Sequence, residues 1–124
     1  MIRAVVCGAA GRMGGRIIAM IHEAADFTLA GAVERPGNPR IGQDAGEVAG
    51  IGKIGLPLVG EMGSVVGEGQ VVFDFTTPQA TMTHLAIAAQ AKVPVVVGTT
   101  GFSAADLSGI NELSSAAPCV LSPN

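Results

Sequence analysis

Three glycines spaced by three, set between an apolar run and a helical pattern, constrain this chain more than any other feature. The stretch reads Ala4-Val5-Val6-Cys7-Gly8-Ala9-Ala10-Gly11-Arg12-Met13-Gly14. Gly8 permits a sharp turn where the strand ends. Gly11 omits a Cβ where backbone must approach a ligand, and Gly14 lets the following helix pack closely. A helix that starts at such a turn offers unpaired N–H groups and a partial positive charge, which suit phosphates. Glu34 stands 20 residues beyond Gly14, and Arg35 follows it. A carboxylate ending a second strand can accept hydrogen bonds from ribose hydroxyls. This spacing predicts a site for a dinucleotide, with its pyrophosphate over residues 8–14 and its adenosine ribose at Glu34.

Composition narrows the partners. The 124 residues include four Phe and neither Trp nor Tyr, and the net charge is −3. Scarce aromatics and a net negative charge argue against a nucleic-acid surface. An acidic domain that binds an anion must do so locally, through N–H groups and placed arginines. Arg12 and Arg35 are the candidates. Cys7 and Cys119 fall on the first and last strands, which are not neighbours in a doubly wound sheet. Both are expected to be free thiols in a reducing compartment. No apolar run approaches the ~18 residues of a membrane span. The apolar stretch after Arg3 is too short for a signal peptide. A cytoplasmic protein without a membrane partner is expected.

Strand patterns occupy Ile2–Cys7, Phe27–Val33, residues 71–75, 93–97 and 118–121, with a short strand expected at 56–59. Between them lie helical patterns. The first carries an apolar stripe of Met13, Ile17, Met20, Ile21 and Ala24. The second is capped by Thr77 with Pro78 in its first position, and runs through Thr81, Leu85, Ala88 and Ala89 to Ala91. Ser103 and Asp106 form a capping-box-like start for another. Alternating strands and helices imply right-handed crossovers. The expected fold is a single α/β domain over residues 1–124, a Rossmann-like, doubly wound parallel sheet in three layers.

In such a sheet the strand exits share the carboxyl edge, where open α/β folds bind ligands. The loops expected there are residues 8–14, Glu34-Arg35, Thr76-Thr77-Pro78, Gly98-Thr99-Thr100-Gly101 and Ser122-Pro123-Asn124. Thr99 and Thr100 read as turn formers or as a wall of a nicotinamide pocket with their hydroxyls toward the ring. Glu34 suits the 2′-hydroxyl of NADH. Arg35 beside it suits the 2′-phosphate of NADPH, so both cofactors are expected to be tolerated. Asp74 reads as a buried structural carboxylate bonded to backbone more readily than as a catalytic one. His22 and His84 read as surface or helix-end residues without a Cys or Asp cluster, so no metal site is expected. Asp44 and Glu47 read as solvated acids or caps of a short helix.

The motifs Gly8-Ala9-Ala10-Gly11-Arg12-Met13-Gly14, Gly42-Gln43-Asp44-Ala45-Gly46, Asp74-Phe75-Thr76-Thr77-Pro78, Gly98-Thr99-Thr100-Gly101-Phe102 and Ser122-Pro123-Asn124 resemble, in order, those of the 4-hydroxy-tetrahydrodipicolinate reductases. The resemblance implies NADH- or NADPH-dependent reduction of a heterocyclic dicarboxylate to tetrahydrodipicolinate, in the diaminopimelate route to lysine. It implies cofactor contacts at Gly8, Ala9, Ala10, Gly11, Arg12, Met13, Glu34, Arg35, Phe75, Thr76, Gly98, Thr99, Thr100, Ser122, Pro123 and Asn124, with Thr100 also beside substrate. The family's second domain, with a His-His pair and a Lys, has no counterpart up to Asn124. The expectation is therefore a monomeric cofactor-binding half without catalytic residues of its own, drawn from a homotetrameric enzyme. The residues alone leave open a stand-alone nucleotide- or CoA-binding module without catalysis.

Overall fold

The computed structural model describes residues 1–115 and 117–121. The chain forms β1 (Ile2–Cys7), α1 (Arg12–Glu23), β2 (Phe27–Val33), α2 (Ala45–Ala49), β3 (Val71–Asp74), α3 (Pro78–Ala91), β4 (Val95–Val97), α4 (Ala104–Leu113) and β5 (Cys119–Leu121). Two short 3-10 turns, Met62–Ser64 and Val66–Glu68, precede β3. All five strands are parallel, in the order β2-β1-β3-β4-β5. The order therefore reverses between β1 and β3, and a crevice opens at the carboxyl ends of those two strands.

Alternation along β1 divides the core. Ala4 and Val6 face a cluster with Ile18 and Ile21 of α1, Ala45 of α2 and Leu58. Val5 and Cys7 face the other, with Leu85 and Ala88 of α3, Ile110 of α4, Met62 and Val66. Both faces of the sheet are covered, which gives three layers.

Three local readings change. On α1 the buried face is Gly14, Ile18 and Ile21, while Met13 and Met20 are 37% and 64% exposed. The helix turns its glycine inward because only that face can sit against the preceding turn. Residues 56–59 make isolated bridges, Val33 to Val59 and Asp44 to Pro57, instead of a strand. Pro57 has no N–H to donate, so the segment meets its neighbours at single residues and not as a ladder, with Leu58 donating to Gln43 and Val59 to Ala32. β4 begins at Val95 and not Val93, because Pro94 contributes only its carbonyl, which accepts from the Val72 N–H at 2.9 Å. β3 and β4 separate Cys7 from Cys119, and both thiols are free.

Candidate functional site

The turn after β1 is built from its own amides. The N–H groups of Gly8 and Ala9 donate to the Val33 carbonyl at 2.9 and 3.1 Å, and that of Gly11 donates to the Gly8 carbonyl at 3.0 Å. Gly8 sits at φ +83, and a Cβ there would run into the Phe75 carbonyl oxygen. A Cβ on Gly14 would fall on the Gly8 carbonyl oxygen. Close approach of helix to turn therefore requires that glycine. The first intrahelical bond of α1 joins the Gly15 N–H to the Gly11 carbonyl at 2.9 Å. The N–H groups of Arg12, Met13 and Gly14 lie ahead of it and have no intrahelical partner. Among the described residues no side chain caps this end. The other three α-helices are all capped, by Asp44, Thr77 and the Ser103–Asp106 box. The dipole of α1 thus opens on the crevice without a capping side chain.

A cleft of about 410 Å³ lies beside this end. One wall is Gly8, Gly11, Val33, Glu34, Arg35 and Pro36. The other is Phe75, Thr76, Thr77, Ala80, Thr83 and His84. Glu34 is fixed in it: Oε1 accepts the Ala10 N–H at 2.9 Å, and Oε2 accepts the N–H of Arg35 at 3.1 Å and Nδ2 of Asn38 at 3.4 Å. The strand end and the glycine turn are thereby locked together. The Arg35 side chain is exposed at the rim. A wider, open hollow of about 600 Å³ lies beside Gln43, Asp44 and Lys53. Its carboxylate is already engaged, since Asp44 accepts the N–H groups of Glu47, Ile54, Gly55 and Leu56 at 2.7 to 3.1 Å. Burial pushes that carboxyl up. The backbone donors Ile54, Glu47, Gly55 and Leu56 outweigh burial and hold it below the ordinary aspartate range. Asp44 caps α2 and staples the following loop, as a cap reading expects.

The far wall rests on a buried polar network. Asp74, the last residue of β3, is fully buried. Its Oδ1 accepts the Thr76 hydroxyl at 2.6 Å, and its Oδ2 lies 2.7 Å from Nδ1 of His84. The carboxylate is thus structural, but bonded to side chains where backbone partners were expected. Thr99 turns its hydroxyl inward and not toward the cleft, accepting the Thr76 N–H at 2.9 Å. Thr100 is exposed. A Cβ on Gly98 would strike the Phe75 ring, so glycine lets the β4 exit pass that side chain.

His22 is exposed, as expected. His84 is the correction: it lines the cleft and holds Asp74. Its ligand-type atom, that of Asp74 and Sγ of Cys7 lie within 4.8 Å of one another. Cys7 and Asp74 are cross-strand partners, a pairing invisible before topology is known. Burial, and then the charges of Asp74 and Glu34, raise the Cys7 thiol well above 9.0. Within the trio His84 and Asp74 are hydrogen-bonded at 2.7 Å, and the buried Cys7 thiol lies beside them. Of the residues the sequence singles out, Gly8, Gly11, Glu34, Arg35, Phe75 and Thr76 line the cleft together. Arg12 and Met13 stand at the open helix end, and Ala9 is buried beneath it. Ser122, Pro123 and Asn124 lie outside the described residues.

Fold and site define an α/β domain of the Rossmann type, with a glycine turn at its switch point. Residues 2–124 match the family described as dihydrodipicolinate reductase, N-terminus, and the chain belongs to that family. It is 41% identical over all of its 124 residues to the 4-hydroxy-tetrahydrodipicolinate reductase of Syntrophus aciditrophicus, of which it covers 46%. It is 44% identical, with the same coverage, to that of Geotalea uraniireducens. The chain thus spans about half the length of these curated relatives. In structure it resembles a dipicolinate-bound dihydrodipicolinate reductase from Paenisporosarcina sp. TG-14, with a TM-score of 0.78 at 22% identity, covering 100% of this chain and 48% of that one. It also resembles the WlbA dehydrogenase of Thermus thermophilus, solved with NAD and α-ketoglutarate. That match has a TM-score of 0.73 at 12% identity, covering 100% of this chain and 41% of that one. No described helix is long and apolar enough to cross a membrane.

Proposed function

We propose that this chain is the NAD(P)H-binding half of a cytoplasmic 4-hydroxy-tetrahydrodipicolinate reductase. The observation that carries this reading is the uncapped start of α1, which faces a cleft at the switch point of the sheet. Three amides and a helix dipole there suit a pyrophosphate. Glu34 and Arg35 stand where the adenosine ribose would lie. Glu34 suits a 2′-hydroxyl and Arg35 a 2′-phosphate, so both NADH and NADPH are bound. The cofactor supplies the hydride. Gly98, Thr99 and Thr100 hold the nicotinamide toward a substrate, with Thr100 at the substrate side. Ser122, Pro123 and Asn124 complete the cofactor contacts at the exit of β5. The proton donor and most of the binding site for the heterocyclic dicarboxylate belong to a second domain, through which the whole enzyme is a homotetramer. This half alone is a monomer with little turnover. The family match disfavours a stand-alone CoA-binding module.

Titration with NADH and NADPH, read by their own fluorescence, tests this. The chain has no Trp or Tyr to contribute background. Both cofactors are expected to bind the wild-type chain, and neither to bind G11V, whose branched side chain would occupy the pyrophosphate position. A wild-type chain that binds neither cofactor would overturn the reading.

A further inference from the structure

Thr81 reaches residues at the exits of both β3 and β4. It lies on α3 and is fully buried. It is not among the residues that line the cleft. Its Oγ1 stands 2.9 Å from Oγ1 of Thr99, 3.1 Å from Oγ1 of Thr76 and 3.3 Å from Oδ1 of Asp74. The proton count assigns the donors. Thr76 gives its single hydroxyl hydrogen to Asp74 at 2.6 Å. Thr81 then gives its own to the nearest acceptor, Thr99. Thr99 also accepts the Thr76 N–H at 2.9 Å. A chain runs from His84 in the cleft wall through Asp74 and Thr76 to Thr99, in the loop after β4, and Thr81 joins it from α3 by donating to the same Thr99 oxygen that takes the Thr76 N–H.

Packing alone does not call for a hydroxyl at this position. The same face of α3 buries Leu85, Ala88 and Ala89, and a valine would fill nearly the same volume. Buried polar groups are retained at a cost unless they are bonded, and bonded ones fix a unique geometry.

We infer that Thr81 is a positioning residue: by donating to Thr99 it fixes the hydroxyl oxygen that takes the Thr76 N–H, and so holds the loop of Gly98, Thr99 and Thr100 in register with the exit of β3. A dinucleotide then meets one preformed surface instead of two independently moving loops. This rests on the nucleotide-binding reading above. It adds that the nicotinamide loop is fixed to the exit of β3 with the help of a side chain that does not line the cleft.

The test compares T81V and T81S with the wild-type chain, using ADP-ribose, which lacks nicotinamide, and NADH as ligands. T81V should bind ADP-ribose within about twofold of wild type and NADH about tenfold more weakly, the scale of one buried hydrogen bond. T81S keeps the hydroxyl and should restore NADH binding. Thermal unfolding of each variant accompanies the titrations, and T81A takes the same test should T81V not fold. Equal loss for both ligands, no loss for either, or failure of T81S to restore NADH binding would each overturn the inference. A wild-type chain that binds neither ligand would instead sink the nucleotide-binding reading itself.

Discussion

The start of α1 and the start of α4 have nearly the same backbone and opposite chemistry. Gly11 sits at φ −80, ψ 170, and Ser103 at φ −73, ψ 168. At α4 the serine accepts the Asp106 N–H at 3.1 Å, and Asp106 accepts the Ser103 N–H in return. At α1 no side chain among the described residues caps the first turn. The backbone does not force that omission, since an extended residue of any type fits these angles. A Cβ on Gly11 would meet only the Gly8 carbonyl oxygen, at 3.3 Å, tight but open to small adjustment. A helix start left bare where a cap would fit is a start reserved for something else. The difference separates helix ends closed by their own side chains from the one left open on the cleft.

The largest effect should come from the glycine that the fold itself requires. In G14A the new methyl meets backbone on the Gly8 turn, which has no rotamer to yield. Overpacking of this kind typically costs about 1–3 kcal/mol, and a rigid contact puts this variant at or above the upper end. Urea denaturation should show a large fall in the midpoint. A midpoint near that of wild type would mean the turn is not held against α1.

G11D turns the comparison into an experiment. Aspartate at an N-cap position accepts from the first-turn amides and complements the dipole. The fold should gain a few tenths of a kcal/mol, the usual margin over a glycine cap. NADH and NADPH binding should fall at least about 100-fold, because a carboxylate then holds the amides and repels phosphate. Stability and binding are thus expected to move in opposite directions. Retained binding would show that the ligand does not use this helix end.

How far the sequence carries can be judged on the same residues. The Gly8–Gly11–Gly14 turn, the caps at Thr77 and Ser103, and the buried stripe of Thr81, Leu85, Ala88 and Ala89 follow from local chemistry, and all are readable in order along the chain. Glu34 is readable by its spacing. Its second task, bracing the Ala10 N–H, is not. The part of the site that stays hidden is the network on the far wall. Asp74, Thr81, His84 and Thr99 come from two strand exits and a helix face, and no periodicity links them. His84 reads as a helix-surface residue until α3 is docked on β3. The face of α1 is misread for a related reason: its pattern is apolar on more than one side, and the deciding residue, Gly14, carries no hydrophobic signal. Residues 56–59 look like a strand by composition, but Pro57 lacks a ladder donor.

Arg35 sharpens the contrast at the neighbouring strand exit, where an acid and a base stand side by side. R35A should weaken NADPH by roughly 1–2 kcal/mol and leave NADH almost unchanged, since only the 2′-phosphate needs the guanidinium. Competition titrations with the two cofactors measure the ratio directly. Equal loss for both would remove Arg35 from cofactor discrimination. At the other end of the molecule, S103A should cost about 1 kcal/mol of stability by loss of the α4 cap. NADH affinity should stay constant. A change in affinity would contradict the division between helix ends that serve the fold and the end that serves the ligand.

The acid limb of the stability curve gives the smallest and most specific contrast, between Asp44 and the bare start of α1. The Asp44 carboxyl is held below the ordinary aspartate range in the folded chain by its four backbone donors. Such a group stabilises the fold above its unfolded value, and that stabilisation is lost as pH falls through the lower folded value. Between these limits the unfolded chain binds the additional proton, so stability rises with pH there. D44N cannot titrate and keeps one carbonyl acceptor of the original two oxygens. The difference in urea midpoint between wild type and D44N should therefore be constant above about pH 5 and narrow progressively below about pH 4. G11S changes no titratable group, and its offset from wild type should stay flat across the same range. A flat D44N offset would mean that the Asp44 donors do not favour the charged form, and the 54–56 loop would then owe its position to packing alone.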